Sequence, residues 1–115
     1  MTTYKQGDIV LVWFLDSNLL TAKKRPAVVL QANNLQTRLD QLIIGMITTN
    51  PMRKGHKSRI FIDVHTETGQ RTGLLSDSVI MTDNIATVRL SEIYKRVGTF
   101  TELDILKESL KHTFG

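Results

Sequence analysis

Two residues of this chain have the types and the placement to handle a phosphate. Arg25 enters the apolar segment Pro26-Ala27-Val28-Val29-Leu30-Gln31, and Thr48 leaves the apolar segment Leu42-Ile43-Ile44-Gly45-Met46-Ile47. An arginine offers a planar fork of donors that matches phosphate oxygens. A threonine offers a hydroxyl that can donate to an oxyanion. If the two segments are neighbouring antiparallel strands, the start of one and the end of the next share a rim. Arg25 and Thr48 could then cradle one phosphate. Spacing alone favours a plainer account, an edge charge beside a β-branched strand residue.

Other chemistries find less support. His56, His65 and His112 have no metal-ligand spacing and read as solvated surface histidines, although His56 sits in the most basic loop. There is no glycine-rich nucleotide loop and no serine elbow. With no cysteine, thiol nucleophiles, disulfides and Cys-type zinc sites are excluded. Asp63 and Asp77 come nearest to the carboxylates of a metal nuclease, but they do not cluster. No cofactor and no metal are expected.

Charge points to a polyanion. The chain carries a formal net charge of +4, and the excess lies in the middle. Between Thr21 and Arg71 nine bases (Lys23, Lys24, Arg25, Arg38, Arg53, Lys54, Lys57, Arg59, Arg71) stand against three acids (Asp40, Asp63, Glu67). Such a basic stretch is the usual footprint of a nucleic-acid partner, and a solvated lysine surface is the alternative.

The elements that must position these residues follow from length and pattern. With 115 residues and 41% hydrophobic content, the chain reads as a single domain over 1–115. It has no apolar run of membrane-spanning length and no signal-peptide core at the start, so a soluble cytoplasmic protein is expected. Apolar and β-branched runs predict strands at 8–14, 26–31 with Pro26 at its first position, 42–48 and 60–64. A fifth over 78–88 is interrupted at Asp83-Asn84, and a sixth covers 93–97. The segment 15–24 reads as an irregular loop, 32–38 as a turn or short helix, 52–57 as a basic loop and 66–72 as polar turns. Thr101 and Asp104 suggest a capping box opening a helix that stripes Leu103, Leu106, Leu110 and Phe114 on one face. The fold class is mainly β with a C-terminal helix, arranged as a small antiparallel barrel or sandwich.

Five segments resemble, in order, those of the MazF/PemK toxin family. They are Gly7-Asp8-Ile9-Val10-Leu11-Val12; Arg25-Pro26-Ala27-Val28-Val29-Leu30-Gln31; Ile47-Thr48-Thr49; the segment from Asp77-Ser78-Val79 to Ile85-Ala86-Thr87-Val88; and Arg96-Val97-Gly98-Thr99-Phe100. The resemblance implies an SH3-like small β-barrel of the CcdB/Kid/MazF kind. It implies a homodimeric endoribonuclease that cuts single-stranded RNA, often mRNA, at short sequences without a metal. An acidic antitoxin protein would neutralise it, and DNA would be met only indirectly, through the toxin–antitoxin complex. By position, Arg25 and Thr48 would be catalytic and Asp83 catalytic or structural. RNA contacts would fall on Lys23, Lys24, Thr49, Asn50, Arg53, Lys54, His56, Lys57, Ser58 and Arg59.

The sequence departs from the family pattern in three places. The first loop, Asp16 to Lys24, lacks the usual Gly/Gln-rich stretch, and Ala86 and Met81 stand where the family has arginines. Two alternatives remain at this stage: a CcdB-like toxin that binds gyrase and cuts nothing, and a catalytically inactive RNA-binding barrel.

Overall fold

The computed structural model describes residues 4–33, 35 and 38–115. Part of the predicted turn or short helix over 32–38 lies outside them. The chain folds into β1 (Asp8–Leu15), β2 (Ala22–Val29), β3 (Gln41–Thr48), β4 (Arg59–Ile62), α1 (Glu67–Arg71), β5 (Ser78–Arg89), β6 (Ile93–Thr99) and α2 (Leu103–Phe114). The six strands form one antiparallel sheet in the order β4-β5-β3-β2-β1-β6. The expected class, mainly β with a C-terminal helix, is the observed one. The barrel is open, with β4 and β6 as edges.

Alternation within each strand explains why the sheet curls. Ile9, Val28 and Ile47 point to one side, where they pack with Ile62, Ile80, Phe100 and Leu106 of α2. Their neighbours Val10, Val12, Ala27, Val29, Leu42 and Ile44 point to the other, where they pack with Val88 and Ile93. Those last two belong to β5 and β6, which lie on opposite sides of the sheet. They meet in one cluster only because the sheet coils around it. Runs without alternation, such as Ile-Val-Leu-Val in β1, are buried on both faces, as their composition predicts.

Glycine closes the seam where β1 begins. Gly7 has φ +92°, and a Cβ there would lie 2.7 Å from the Phe100 carbonyl oxygen. The adjacent Asp8 is buried, and its carboxylate accepts from the Lys5 N–H (2.9 Å), the Thr99 hydroxyl (3.2 Å) and Arg96 (3.4 Å). The Gly-Asp pair therefore ties the chain start to β6.

Several sequence expectations need correction. Ala22–Lys24 is strand, not loop: Trp13 pairs with Lys24 and Phe14 with Lys23. Lys-Lys-Arg shows no apolar alternation because this end of the hairpin is exposed on both faces. Pro26 is consequently mid-strand. The β3 ladder starts only at Ala27, so the missing N–H costs little there. The polar segment after Thr66 is the helix α1, whose first turn Thr66 caps by accepting from the Gly69 N–H at 3.0 Å. At the start of α2 the capping box does not form; Glu102 occupies the N-cap without a side-chain bond. Phe114 leaves the predicted stripe and is 72% exposed. Over its last turns α2 instead turns Ser109 and Thr113 inward, toward a threonine of β5.

Candidate functional site

The register of the central strands brings the two candidate residues, Arg25 and Thr48, to one end of the sheet. Ala27 pairs with Met46 at the last rung of the β2–β3 ladder; Arg25 lies two residues beyond Ala27 on β2, and Thr48 two residues beyond Met46 on β3. Both residues lie on the Ala27/Met46 face. They line one shallow pocket of about 320 Å³ together with Met46, Thr49, Met81 and Asn84. Arg25 is exposed, and its side chain makes no ion pair among the described residues. The Thr48 oxygen accepts the Asn50 N–H at 3.1 Å. That bond uses a lone pair and leaves the hydroxyl hydrogen to be donated outward. Asn50 is held in turn, because its side-chain oxygen accepts the Met52 N–H at 3.0 Å and caps the 3₁₀ turn Pro51–Arg53.

A bulge in β5 builds the opposite wall. Gly45 pairs with Ile85, yet the next residue, Met46, pairs with Met81. Thr82, Asp83 and Asn84 are left without β3 partners, and each does something different. Asn84 lines the pocket. Asp83 turns toward β4 and binds Arg59 at 3.1 Å. Thr82 turns inward and is fully buried; its hydroxyl lies 2.7 Å from both the Ser58 carbonyl oxygen and the Ser109 hydroxyl. The interruption read at Asp83-Asn84 is this bulge. Its wall-forming residues, Met81 and Asn84, were absent from the sequence-derived site; the only sequence signal was a polar Thr-Asp-Asn step inside an apolar strand.

The other candidate residues divide sharply. Lys23 shares a face with Arg25, whereas Lys24 lies on the reverse face. Thr49, Asn50, Arg53, Lys54, His56 and Lys57 are exposed on the loop after β3. Ser58 differs from these: it is 3% exposed, and its hydroxyl accepts from Thr113 at 2.7 Å, so the side chain faces α2. Arg59 is also committed to its neighbours: one nitrogen binds Asp83, another donates to the Arg53 carbonyl at 3.4 Å, and its Nε is buried without a partner among the described residues. The His56 Nδ1 accepts the Ser58 N–H at 3.0 Å.

A larger depression of about 540 Å³ lies between β4 and α2, lined by Lys57, Arg59, Ile60, Ile105, Glu108 and His112. Several of its polar groups are already paired, Arg59 with Asp83 and Ser109 with the Lys57 carbonyl. The smaller pocket holds the unpaired donors, and it is the better site for an anion. Among the described residues no three His, Asp or Glu side chains converge as a metal site would require, and no helix is long and apolar enough to cross a membrane.

A family model described as the PemK-like, MazF-like toxin of type II toxin–antitoxin systems matches residues 5–112. No curated protein sequence matches the chain. Solved structures do. A mycobacterial endoribonuclease in complex with its cognate antitoxin superposes with a TM-score of 0.73 at 16% identity, over 98% of this chain and 96% of that one. The Mycobacterium tuberculosis toxin MazF-mt6 gives 0.71 at 20% identity, over 93% and 95%. MazF in the Deinococcus radiodurans MazE–MazF complex gives 0.71 at 17% identity, over 97% and 94%. At these identities the likeness to the solved structures is one of fold.

Proposed function

The chain belongs to the PemK-like, MazF-like toxins of type II toxin–antitoxin systems, and from that premise we propose that it is an endoribonuclease whose catalytic pair is Arg25 and Thr48. The observation that carries the reading is the convergence of two unpaired donors in one exposed pocket. The chemistry is attack by a ribose 2′-hydroxyl on the adjacent phosphorus. The 2′-hydroxyl loses its proton to water as the new P–O bond forms, the bond to the 5′-oxygen breaks, and that oxygen takes up a proton from water, leaving a 2′,3′-cyclic phosphate and a 5′-hydroxyl. Charge builds on the non-bridging oxygens as the phosphorus becomes five-coordinate. Arg25 stays protonated and stabilises that charge, and the Thr48 hydroxyl donates to one of those oxygens. Among the described residues no carboxylate or imidazole lines the pocket, and in this reading the two side chains act electrostatically. Asp83 is structural in this reading, because its carboxylate is occupied by Arg59.

The RNA is single-stranded, with its backbone held by Lys23, Lys24 and the cations of the loop after β3. The toxin acts as a homodimer and is neutralised by an acidic antitoxin that competes for the basic groove. A neutralising partner that bound without displacing RNA would remove the shared groove from this account.

Incubation of the pure protein with a long single-stranded RNA tests the whole reading. Products ending in a cyclic phosphate are expected, with cleavage persisting in EDTA. A substrate carrying 2′-deoxyribose at the cut position should resist. Arrest by EDTA, or equal cutting of the deoxy substrate, would replace this mechanism with a metal-dependent one.

A further inference from the structure

One exposed cluster is used neither by the fold nor by the pocket. Trp13 of β1 and Tyr94 of β6 are 40% and 50% exposed, and neither belongs to a core cluster. Their rings meet edge to face, with centroids 6.1 Å apart and planes at 81°. The Lys24 ammonium lies 4.1 Å from the Tyr94 centroid and 5.5 Å from that of Trp13. A second ammonium, Lys95, lies 5.9 Å from Tyr94. Neither lysine has an acidic partner among the described residues.

We propose that Trp13, Tyr94 and Lys24, flanked by Lys95, form a base-stacking platform for the single-stranded RNA that extends beyond the Arg25–Thr48 pocket. The proposal rests on the endoribonuclease reading and adds where the rest of the substrate goes. Half-exposed aromatic rings beside cations that have no acidic partner are the combination single-stranded nucleic acid uses: bases stack on the rings and phosphates meet the ammonium groups. An acidic peptide would use the cations and leave the ring faces unmatched. A second copy docked on the same patch would bring like charges together.

The route between pocket and platform is short. Lys24 and Arg25 are adjacent in β2 and point to opposite faces. Ala22 to Pro26 pair with β1 alone, because the β3 ladder starts at Ala27. β2 therefore has an open edge at this point, over which a flexible strand can turn. From β2 across β1 to β6 is two strand spacings, about 10 Å, a span of a few nucleotides. The Lys24 ammonium, seated against both rings, holds the platform in place before RNA arrives.

Trp13 is the only tryptophan of the chain, so its emission reports on the platform directly. The probe is a fluorescein-labelled, mixed-sequence 2′-O-methyl oligoribonucleotide, which 2′-hydroxyl attack cannot cut. Titrating it should quench Trp13 in parallel with the rise in label anisotropy. Tyr94→Ala should weaken binding about 5- to 150-fold, the range for losing one stacked base. Tyr94→Phe, which keeps the ring, should bind close to the native protein. A rise in anisotropy with unchanged Trp13 emission would overturn the platform and leave the endoribonuclease reading standing. Native-like binding by Tyr94→Ala would do the same. So would a changed sedimentation coefficient for Tyr94→Ala, which would mark the patch as a self-association surface. No rise in anisotropy at all would take down both.

Discussion

The exposed end of the β1–β2 hairpin and the loop after β3 carry similar densities of positive charge, yet they differ in what that charge is free to do. At the hairpin, Lys23, Lys24 and Arg25 have no acidic partner among the described residues, and of the three Lys24 rests on a ring, 4.1 Å from the Tyr94 centroid. In the loop, Arg59 is bound by Asp83, Lys54 sits 4.6 Å over the Phe61 ring, His56 is fixed by the Ser58 N–H, and Ser58 is buried. One region presents donors; the other spends much of its polar chemistry on its own architecture. The difference originates in the β5 bulge, which sends Asp83 and Thr82 toward the loop and Asn84 toward the pocket. Local basicity therefore measures how much charge is present, and tertiary contacts decide how much of it a ligand meets.

The largest effect should come from the hairpin side. Arg25→Ala should lower the RNA cleavage rate by at least about 10²–10³, the usual loss for one preorganised donor. Its melting temperature should stay close to the native value, because Arg25 is exposed and unpaired. Thr48→Ala should lose nearly as much and Thr48→Ser less, since serine keeps the hydroxyl. A full rate for Arg25→Ala in a gel-based assay would erase the contrast between the regions.

Next comes the buried anchor of the loop. Thr82→Val keeps the shape and removes a hydroxyl shared with the Ser58 carbonyl and the Ser109 and Thr113 hydroxyls. Leaving those groups short of a partner should cost about 1–3 kcal/mol in urea unfolding. A native midpoint would show that the loop does not depend on this network.

Asp83→Asn sharpens the comparison further. The ion pair to Arg59 is partly exposed, with side chains at 24% and 31%, so its loss should cost no more than about 1 kcal/mol. Cleavage should fall far less than in Arg25→Ala. A loss equal to that of Arg25→Ala would make Asp83 part of the chemistry.

The smallest effect separates free from committed lysines. Lys23→Gln should lower the slope of log affinity against log salt by about one, the change for a lost phosphate contact. Lys54→Gln should lower it by less, since Lys54 already rests on Phe61. Equal changes in a salt series would mean that the loop lysine is as available as the hairpin one.

Much of the fold was legible because each apolar run had room for only one interpretation. Val28 and Ile44 sit in runs too apolar to be exposed on either face, and both are fully buried. The approach of Arg25 to Thr48 was also legible, since two neighbouring antiparallel strands leave little freedom in which ends meet. Phe114 misled because its stripe was judged by hydrophobicity alone, while the surface it would have faced is lined with hydroxyls. The burial of Ser58 was not legible, because a small polar residue among lysines looks solvent-facing until the helix that covers it is in place.

The sequence by itself determined the strands, the terminal helix, the basic middle and the two residues at a common rim. These depend on composition and on periods of two and 3.6, which are local properties of the chain. Only the tertiary structure decided the bulge at Thr82-Asp83-Asn84, the commitment of Arg59, the burial of Ser58 and the meeting of Trp13 with Tyr94 and Lys24. Each brings together residues far apart in sequence: Thr82 with Ser109, Arg59 with Asp83, Trp13 with Tyr94. Such pairings follow from strand register and from how the helix packs on the sheet. Neither leaves a periodic trace in the chain, because a shift of register changes a residue's partners without changing any residue.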